Sequence, residues 1–166
     1  MTTLLMIRFD NQEVIDNLKE ELERRFGLSI KDIKKELPLM IKRGSQHNAE
    51  DLLAETEKSK KINHSDIALG ITEEDLYVPD LNFVFGLASP DLKCAVISTN
   101  RLASHDRLIY HDRVLKEAVH ELGHVFGLRH CPDRRCVMHF SNSLLDTDIK
   151  KDEFCTVCSD LLRDSG

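Results

Sequence analysis

The first half of the chain alternates between short apolar runs and segments whose apolar residues recur at helical spacing. Residues 2–9 are apolar and β-prone, and they predict a strand. A helical face follows, made of Val14, Ile15, Leu18, Leu22 and Phe26. Gly27 then predicts the end of that helix, because glycine tolerates the left-handed backbone of a helix terminus. A second helix is predicted from Ala49 to about Lys61, with Asn48 as its N-cap.

Further apolar runs predict the rest of a sheet. Residues 29–41 are ambiguous, and Pro38 favours an edge or terminal strand for them. Three more strand candidates follow, at Asp66 to Ile71, Leu81 to Ala88, and Lys93 to Thr99. Strands that first alternate with helices, and then follow one another across a short turn, predict an α/β fold with a mixed sheet.

The last third of the chain changes character after one long helix. From His111 to about Leu128 the apolar residues recur at helical spacing until Gly127. Residues 131–166 are rich in Cys, Ser, Asp and Arg and contain few apolar runs, so they need a staple other than a hydrophobic core. We therefore expect one domain made of two parts, an α/β part over residues 1–130 and a small subdomain over residues 131–166.

Composition places the chain among soluble globular proteins. It has 166 residues, 41% of them hydrophobic, and a formal net charge of −6. Basic and acidic residues are interleaved, so no nucleic-acid partner is expected. The apolar run Leu4 to Ile7 is too short for a signal peptide, and no segment is long enough to span a membrane. A cytoplasmic location is therefore expected, whereas the oligomeric state is left open.

The predicted long helix carries the motif H-E-x-x-H, extended to a third histidine. His120 and His124 are one helical turn apart, which suits two corners of a zinc tetrahedron. Gly127 allows a sharp turn that brings His130 back as a third ligand. Glu121, at the flank of the motif, is suited to act as a general base. A core helix that happens to carry histidines is the alternative, and iron, cobalt or nickel would also suit three imidazoles.

Four of the five cysteines form two close pairs. The spacing of Cys131 and Cys136, followed by Cys155 and Cys158, is that of a closed structural zinc site. Two disulfides, or four unrelated thiols, are the alternatives. The fifth, Cys94, is expected to be a buried and unreactive thiol.

Charged and polar residues near these motifs are expected to be solvated. Four cationic residues flank the cysteines and either offset thiolate charge or form a solvated cluster; they are Arg134, Arg135, Lys150 and Lys151. The remaining histidines fall outside any ligand spacing and are expected at the surface or at caps; they are His47, His64, His105, His111 and His139.

The extended histidine motif followed by Met138 resembles the metzincin clan of zinc peptidases. The spacing of the four cysteines around Met138 resembles the archaemetzincin family in particular. The resemblance implies a metzincin-like twisted mixed sheet, a catalytic zinc on His120, His124 and His130, and Glu121 as the base. It also implies a turn beneath the metal at Met138 and a structural zinc on Cys131, Cys136, Cys155 and Cys158.

The same resemblance implies a peptide or protein substrate, hydrolysed through a zinc-activated water. The strand predicted over Leu81 to Ala88 would then be the sheet edge above the site, where an extended peptide pairs. Some metzincins carry a tyrosine two residues after the methionine, and here that position is Phe140, so no oxyanion donor is assigned. Two rival functions stay open: a catalytically silent, zinc-stabilised binding or regulatory protein, and a zinc hydrolase of non-peptide amides.

Overall fold

The computed structural model describes residues 1–10, 15 and 17–165. Val14, placed on the first helix by its spacing, lies outside the described residues. In chain order the described elements are β1 (Thr2–Phe9), α1 (Leu18–Phe26), β2 (Leu28–Lys35), β3 (Lys42–Arg43), β4 (Gln46–Asn48), α2 (Ala49–Ile62), β5 (Ile67–Thr72), β6 (Leu76–Tyr77), β7 (Gly86–Ser89), β8 (Cys94–Ser98), α3 (Arg107–Val125), α4 (Leu144–Ile149) and α5 (Thr156–Ser165).

A five-stranded sheet with the order β2-β1-β5-β8-β7 forms the centre of the molecule. Its strands are parallel except β7, which runs antiparallel to β8 and forms one edge. The prediction of an α/β fold with a mixed sheet is therefore confirmed. β2 forms the other edge and ends before Pro38, as the ambiguous segment at 29–41 indicated. β3, β4 and β6 form a small second sheet.

Alternating side chains along β1 separate two hydrophobic layers. Leu4 and Met6 pack on the face covered by α1 and α3, whereas Leu5 and Ile7 pack on the face covered by α2. This alternation follows from the strand geometry, in which successive side chains point to opposite faces. The sheet is thus buried between two helical layers.

The helix termini follow local chemistry. The side chain of Asn48 accepts a hydrogen bond of 2.8 Å from the backbone N–H of Glu50, which confirms it as the cap of α2. Gly27, with φ +63°, ends α1 as expected. Helix α3 begins four residues earlier than its spacing indicated, because the carboxylate of Asp106 caps it. Its first turn is exposed, so apolar periodicity does not mark it.

The predicted strand over Leu81 to Ala88 is wrong in extent, because the strand paired with β8 is Gly86–Ser89, with one further hydrogen bond from Ser98 N–H to Phe85 O. The preceding residues form a loop, which we call the 78–85 loop. The Arg43 guanidinium holds it by donating to the carbonyl oxygens of Leu81 and Asn82 at 2.7 and 3.0 Å. These hydrogen bonds hold the segment in a loop despite its alternating apolar pattern. The Leu81 side chain is exposed as a result.

Residues 131–165 pack against the helices of the α/β part through ion pairs. Arg113 of α3 pairs with Asp148 of α4 at 2.9 Å, and Arg25 of α1 pairs with Asp152 at 3.0 Å. In the described part of the chain, no helix combines the length and the apolar character needed to cross a membrane.

Candidate active site

Helix α3 presents the histidine motif from its C-terminal half. The rings of His120 and His124 come to the same side of the helix, with centroids 4.7 Å apart. Gly127 adopts φ +99°, a backbone conformation that side chains disfavour, and the chain turns there. His130 therefore comes back to within 4.8 Å of the His124 ring, centroid to centroid. One ring nitrogen from each histidine lies within 4.8 Å of those of the other two.

Backbone carbonyls fix the tautomers of the two helical histidines. His120 Nδ1 lies 2.8 Å from Val137 O, and His124 Nδ1 lies 2.8 Å from Leu128 O. A carbonyl oxygen only accepts, so each Nδ1 must carry the proton and donate it. The two Nε2 atoms are then both lone-pair acceptors, yet they face each other at 3.2 Å. A cation between them resolves this repulsion, so the donor set fits a divalent metal.

Desolvation disfavours the charged form of these histidines. It is the largest cause that lowers the pKa of His120 well below its ordinary value, and it also lowers the pKa of His124 and of His130. A metal binds only the unprotonated nitrogen of an imidazole, so the environment favours the ligand form of all three.

Glu121 lies beside the histidines against the edge of the sheet. Burial raises the pKa of its carboxyl well above the usual range, and the charge of Glu117 adds to this. A Cβ atom at Gly86 of β7 would lie 2.9 Å from Glu121 Oε1. Only glycine therefore lets the edge strand approach this carboxylate so closely, and the sequence pattern did not mark Gly86.

The four cysteines converge at a second cluster. Their Sγ atoms all lie within 4.8 Å of one another, and none of them is in a disulfide. Cys131 Sγ and Cys155 Sγ are 3.8 Å apart, far beyond a covalent S–S bond. The backbone N–H groups of Met138 and Cys155 donate to Cys136 Sγ at 3.4 and 3.3 Å. Four converging sulfur atoms with N–H donors match a closed tetrahedral thiolate site.

The chain between the third histidine and Met138 belongs to both clusters. Cys131 follows His130 directly, and its backbone N–H donates to Met138 O at 3.0 Å. Met138 is completely buried and lies against Gly123 of α3, between the two histidines of the helix. Val137, next to it, accepts the hydrogen bond of His120. The same turn thus contacts the histidine site and the cysteine site.

A cleft of about 480 Å³ opens over the histidines. Most of its wall is apolar and comes from the 78–85 loop, β7 and Phe140. The Phe140 ring lies 5.1 Å from the His130 ring, centroid to centroid, and offers no hydroxyl. The polar floor consists of the histidines together with Glu121, Glu117 and Lys150.

Three of the five histidines expected at the surface or at caps differ from that expectation; one of them, His111, is half-buried within α3. His47 is buried and lies 3.5 Å from Glu74, because it belongs to the small second sheet. His139 is half-buried, and its Nδ1 lies 2.8 Å from Cys131 O. His64 and His105 are exposed, as expected.

Lys150 and Glu117 are the cleft residues that sequence reasoning missed. Lys150 was expected near the thiolates or in solvent, but its side chain is completely buried, 3.8 Å from Glu117 Oε1. Arg134, Arg135 and Lys151 are exposed. Glu117 precedes Glu121 by four residues, so its place on the same helix face was readable from spacing. Lys150 follows the short helix α4, whose pattern carries no such signal.

A mixed sheet backed by a helix with H-E-x-x-H, and a third histidine returned by a glycine turn, together define a metallopeptidase. The model of peptidase family M54 matches residues 2–164. The chain therefore belongs to peptidase family M54, in agreement with its resemblance to the archaemetzincins.

One relative is similar to this chain over nearly its whole length, in sequence and in structure. The archaemetzincin of Methanopyrus kandleri is 42% identical in an alignment that covers 96% of this chain and 95% of that protein. Its crystal structure superposes with a TM-score of 0.91, covers 99% of this chain and 94% of the other, and is 41% identical.

Two further crystal structures share the fold. The archaemetzincin of Archaeoglobus fulgidus, complexed with malonate, has a TM-score of 0.83 and 32% identity, covering 96% of this chain and 99% of that one. A zinc-dependent peptidase from Methanocorpusculum labreanum has a TM-score of 0.79 and 27% identity, covering 95% and 99% respectively.

Proposed function

We propose that this chain hydrolyses peptide bonds as a zinc-dependent peptidase of the cytoplasm. In this proposal His120, His124 and His130 hold the catalytic zinc, and Glu121 is the general base. The observation that carries it is the pair of facing Nε2 lone pairs, 3.2 Å apart, beside a buried carboxylate in an open cleft. Five unpaired thiols suit a reducing compartment.

Glu121 moves the protons of the reaction. A zinc ion held by three neutral imidazoles supplies Lewis acidity, which polarises a carbonyl and acidifies water. The Glu121 carboxylate accepts a proton from the attacking water and delivers it to the nitrogen of the leaving amine. Its low-dielectric surroundings strengthen its attraction for that proton, in line with the raised pKa of the carboxyl. The apolar walls of the cleft exclude competing water.

The free edge of β7 supplies the docking site for an extended peptide. Ser98 N–H donates to Phe85 O at 2.8 Å, so in the antiparallel register Phe85 and Leu87 bond with β8. The N–H and C=O groups of Gly86 and Ala88 then face away from β8. A peptide that pairs with them lies across the cleft, directly beside Glu121.

The four cysteines form a structural zinc site in this proposal, and residues 131–166 form a small subdomain stapled by it. A closed thiolate site leaves no position for a substrate, so its role is to hold the chain. Because Cys131 follows His130, the structural zinc also braces the backbone that presents the third catalytic ligand.

The test compares the wild-type chain with Glu121→Gln on a mixed peptide library, read by mass spectrometry after zinc loading. Glutamine keeps the shape of the side chain but accepts no proton as a carboxylate does. We expect wild-type cleavage and a loss of about 10²-fold or more in the variant. The zinc content of the two proteins should be equal, because Glu121 is not a ligand.

The other outcomes decide between the rival functions. Zinc-loaded wild type that cleaves no peptide but hydrolyses simple amides would indicate a hydrolase of non-peptide amides. Zinc-loaded wild type that binds peptides and hydrolyses neither class would indicate a binding protein. Equal cleavage by wild type and Glu121→Gln would exclude Glu121 as the base.

A further inference from the structure

Lys150 is a completely buried lysine in the floor of the cleft. Its Nζ donates to His139 O at 3.1 Å and lies 3.8 Å from Glu117 Oε1. Glu117 is also buried, and the same Oε1 has no hydrogen-bond partner among the described residues. Burying an ammonium and a carboxylate removes the hydration of both ions, and their mutual attraction must offset that cost. Two apolar side chains would fill this space with less desolvation.

The two partners of Lys150 belong to the two halves of the histidine site. Glu117 precedes Glu121 by one helical turn of α3 and lines the same cleft. His139 lies in the turn whose Val137 carbonyl accepts the Nδ1 proton of His120. Lys150 therefore joins the helix that carries the base to the turn that orients a histidine.

A second buried lysine provides a contrast within the same helix. Lys116 Nζ donates to Thr147 O at 3.1 Å and lies 2.9 Å from Asp112. It also ties α3 to the C-terminal segment through a backbone carbonyl. Its partners are outside the cleft lining, however, whereas Glu117, which lies beside Lys150, is part of that lining. Lys116 thus joins the same helix to the C-terminal segment by the same kind of bonds, but outside the cleft.

We propose that Lys150, with Glu117 as its counter-ion, is a positioning residue for the hydrolytic site. It holds the turn at 137–139 against α3, so that Glu121 and His120 keep the orientation the reaction needs. The inference rests on the proposed peptidase function. It concerns a charged contact that the histidine motif and the cysteine spacing do not include.

The test uses Lys150→Met, the pair variant Glu117→Gln/Lys150→Met, and two controls, Lys116→Met and the exposed Lys151→Met. For each zinc-loaded protein, kcat and KM are measured on one cleaved peptide, the Tm is recorded, and the His120 Nδ1 proton resonance is observed by NMR. The pair variant removes both charges together, so it avoids leaving a buried carboxylate unpaired.

We expect Lys150→Met and the pair variant to lower kcat by about 10- to 100-fold with little change in KM. Both should shift the His120 Nδ1 proton resonance, and the pair variant should regain most of the Tm lost by Lys150→Met. Lys116→Met should lower the Tm alone, and Lys151→Met should change none of these quantities.

A pair variant with wild-type kcat and an unshifted resonance would overturn the proposal and leave Lys150 a structural residue like Lys116. If the wild-type chain hydrolyses no peptide, the peptidase function fails, whereas the resonance still decides on Lys150. A resonance shift confined to the Lys150 variants would then support the positioning role by itself.

Discussion

The close contact between Gly123 and Met138 determines how near the turn that contains Met138 lies to helix α3. Gly123 lies between His120 and His124 on α3, and a Cβ atom there would overlap Met138 Sδ and approach Phe154 at 3.4 Å. Met138 is completely buried, so its thioether has no free volume to move into. The glycine within the H-E-x-x-H motif is therefore required by packing, not by backbone conformation.

We predict that Gly123→Ala destabilises the fold by about 1–3 kcal/mol, the usual cost of overpacking a core. Equilibrium unfolding in urea measures this change. Met138→Ala makes room for the new methyl group, so the double variant should be more stable than the sum of the two single changes indicates. Strictly additive changes would show that Met138 is not the residue displaced.

At this scale the sequence predicts well which histidines and cysteines come together, and it predicts poorly which residues support them. The histidine and cysteine spacings were sufficient to foresee both clusters, because ligand geometry imposes fixed offsets along the chain. Gly86, Gly123 and Lys150 act through neighbours distant in sequence. Their roles depend on how the sheet edge, the helix and the C-terminal segment come together, and no local pattern carries that information.

The backbone groups of strand β7 point in two directions. Those of alternate residues bond with β8, and the others face away from β8, toward the cleft. The sequence pattern extended this strand back to Leu81 because apolar and polar residues alternate there. The backbone N–H of Val84 instead donates to Leu76 O at 3.0 Å, so it is not free to pair with a peptide.

We predict that Ala88→Pro weakens the binding of an extended peptide by about tenfold, since one outward N–H group is lost. Proline is tolerated at a sheet edge where the N–H faces solvent, so the Tm should fall little. Leu87→Pro is the matched control, because it removes an N–H that bonds with β8 and should destabilise the fold instead. Unchanged peptide affinity in a folded Ala88→Pro variant would argue against docking along β7. Affinity is best measured in the Glu121→Gln background, where the peptide stays intact.

Among the other elements, the sequence predicts those features that depend on residues close by in the chain. The caps of α2 and the end of α1 depend on Asn48 and Gly27, whose effects are local, and both predictions are confirmed. The start of α3 was placed too late, because its exposed first turn contributes nothing to the buried face. The mixed sheet followed from the order of strands and helices, but its edge register required the structure.

At the scale of the whole molecule, the two clusters share contacts with one turn, at residues 137–139. Helix α3 carries His120, His124 and Glu121. The chain that follows α3 provides His130, the turn at Met138 and all four clustered cysteines. Hydrogen bonds from Cys131 to Met138 and from His120 to Val137 connect the two parts, so a metal at either site stabilises the same backbone.

The central claim is that the chain holds one zinc ion at each of the two clusters. Elemental analysis of the purified protein tests it most directly, on the wild type and on three variants. We predict two zinc ions per chain in the wild type and in Cys94→Ser, one in His124→Ala, and no more than one in Cys155→Ser. Fewer than two zinc ions in wild-type protein supplied with zinc, or a count unchanged by both His124→Ala and Cys155→Ser, would contradict the two-centre account.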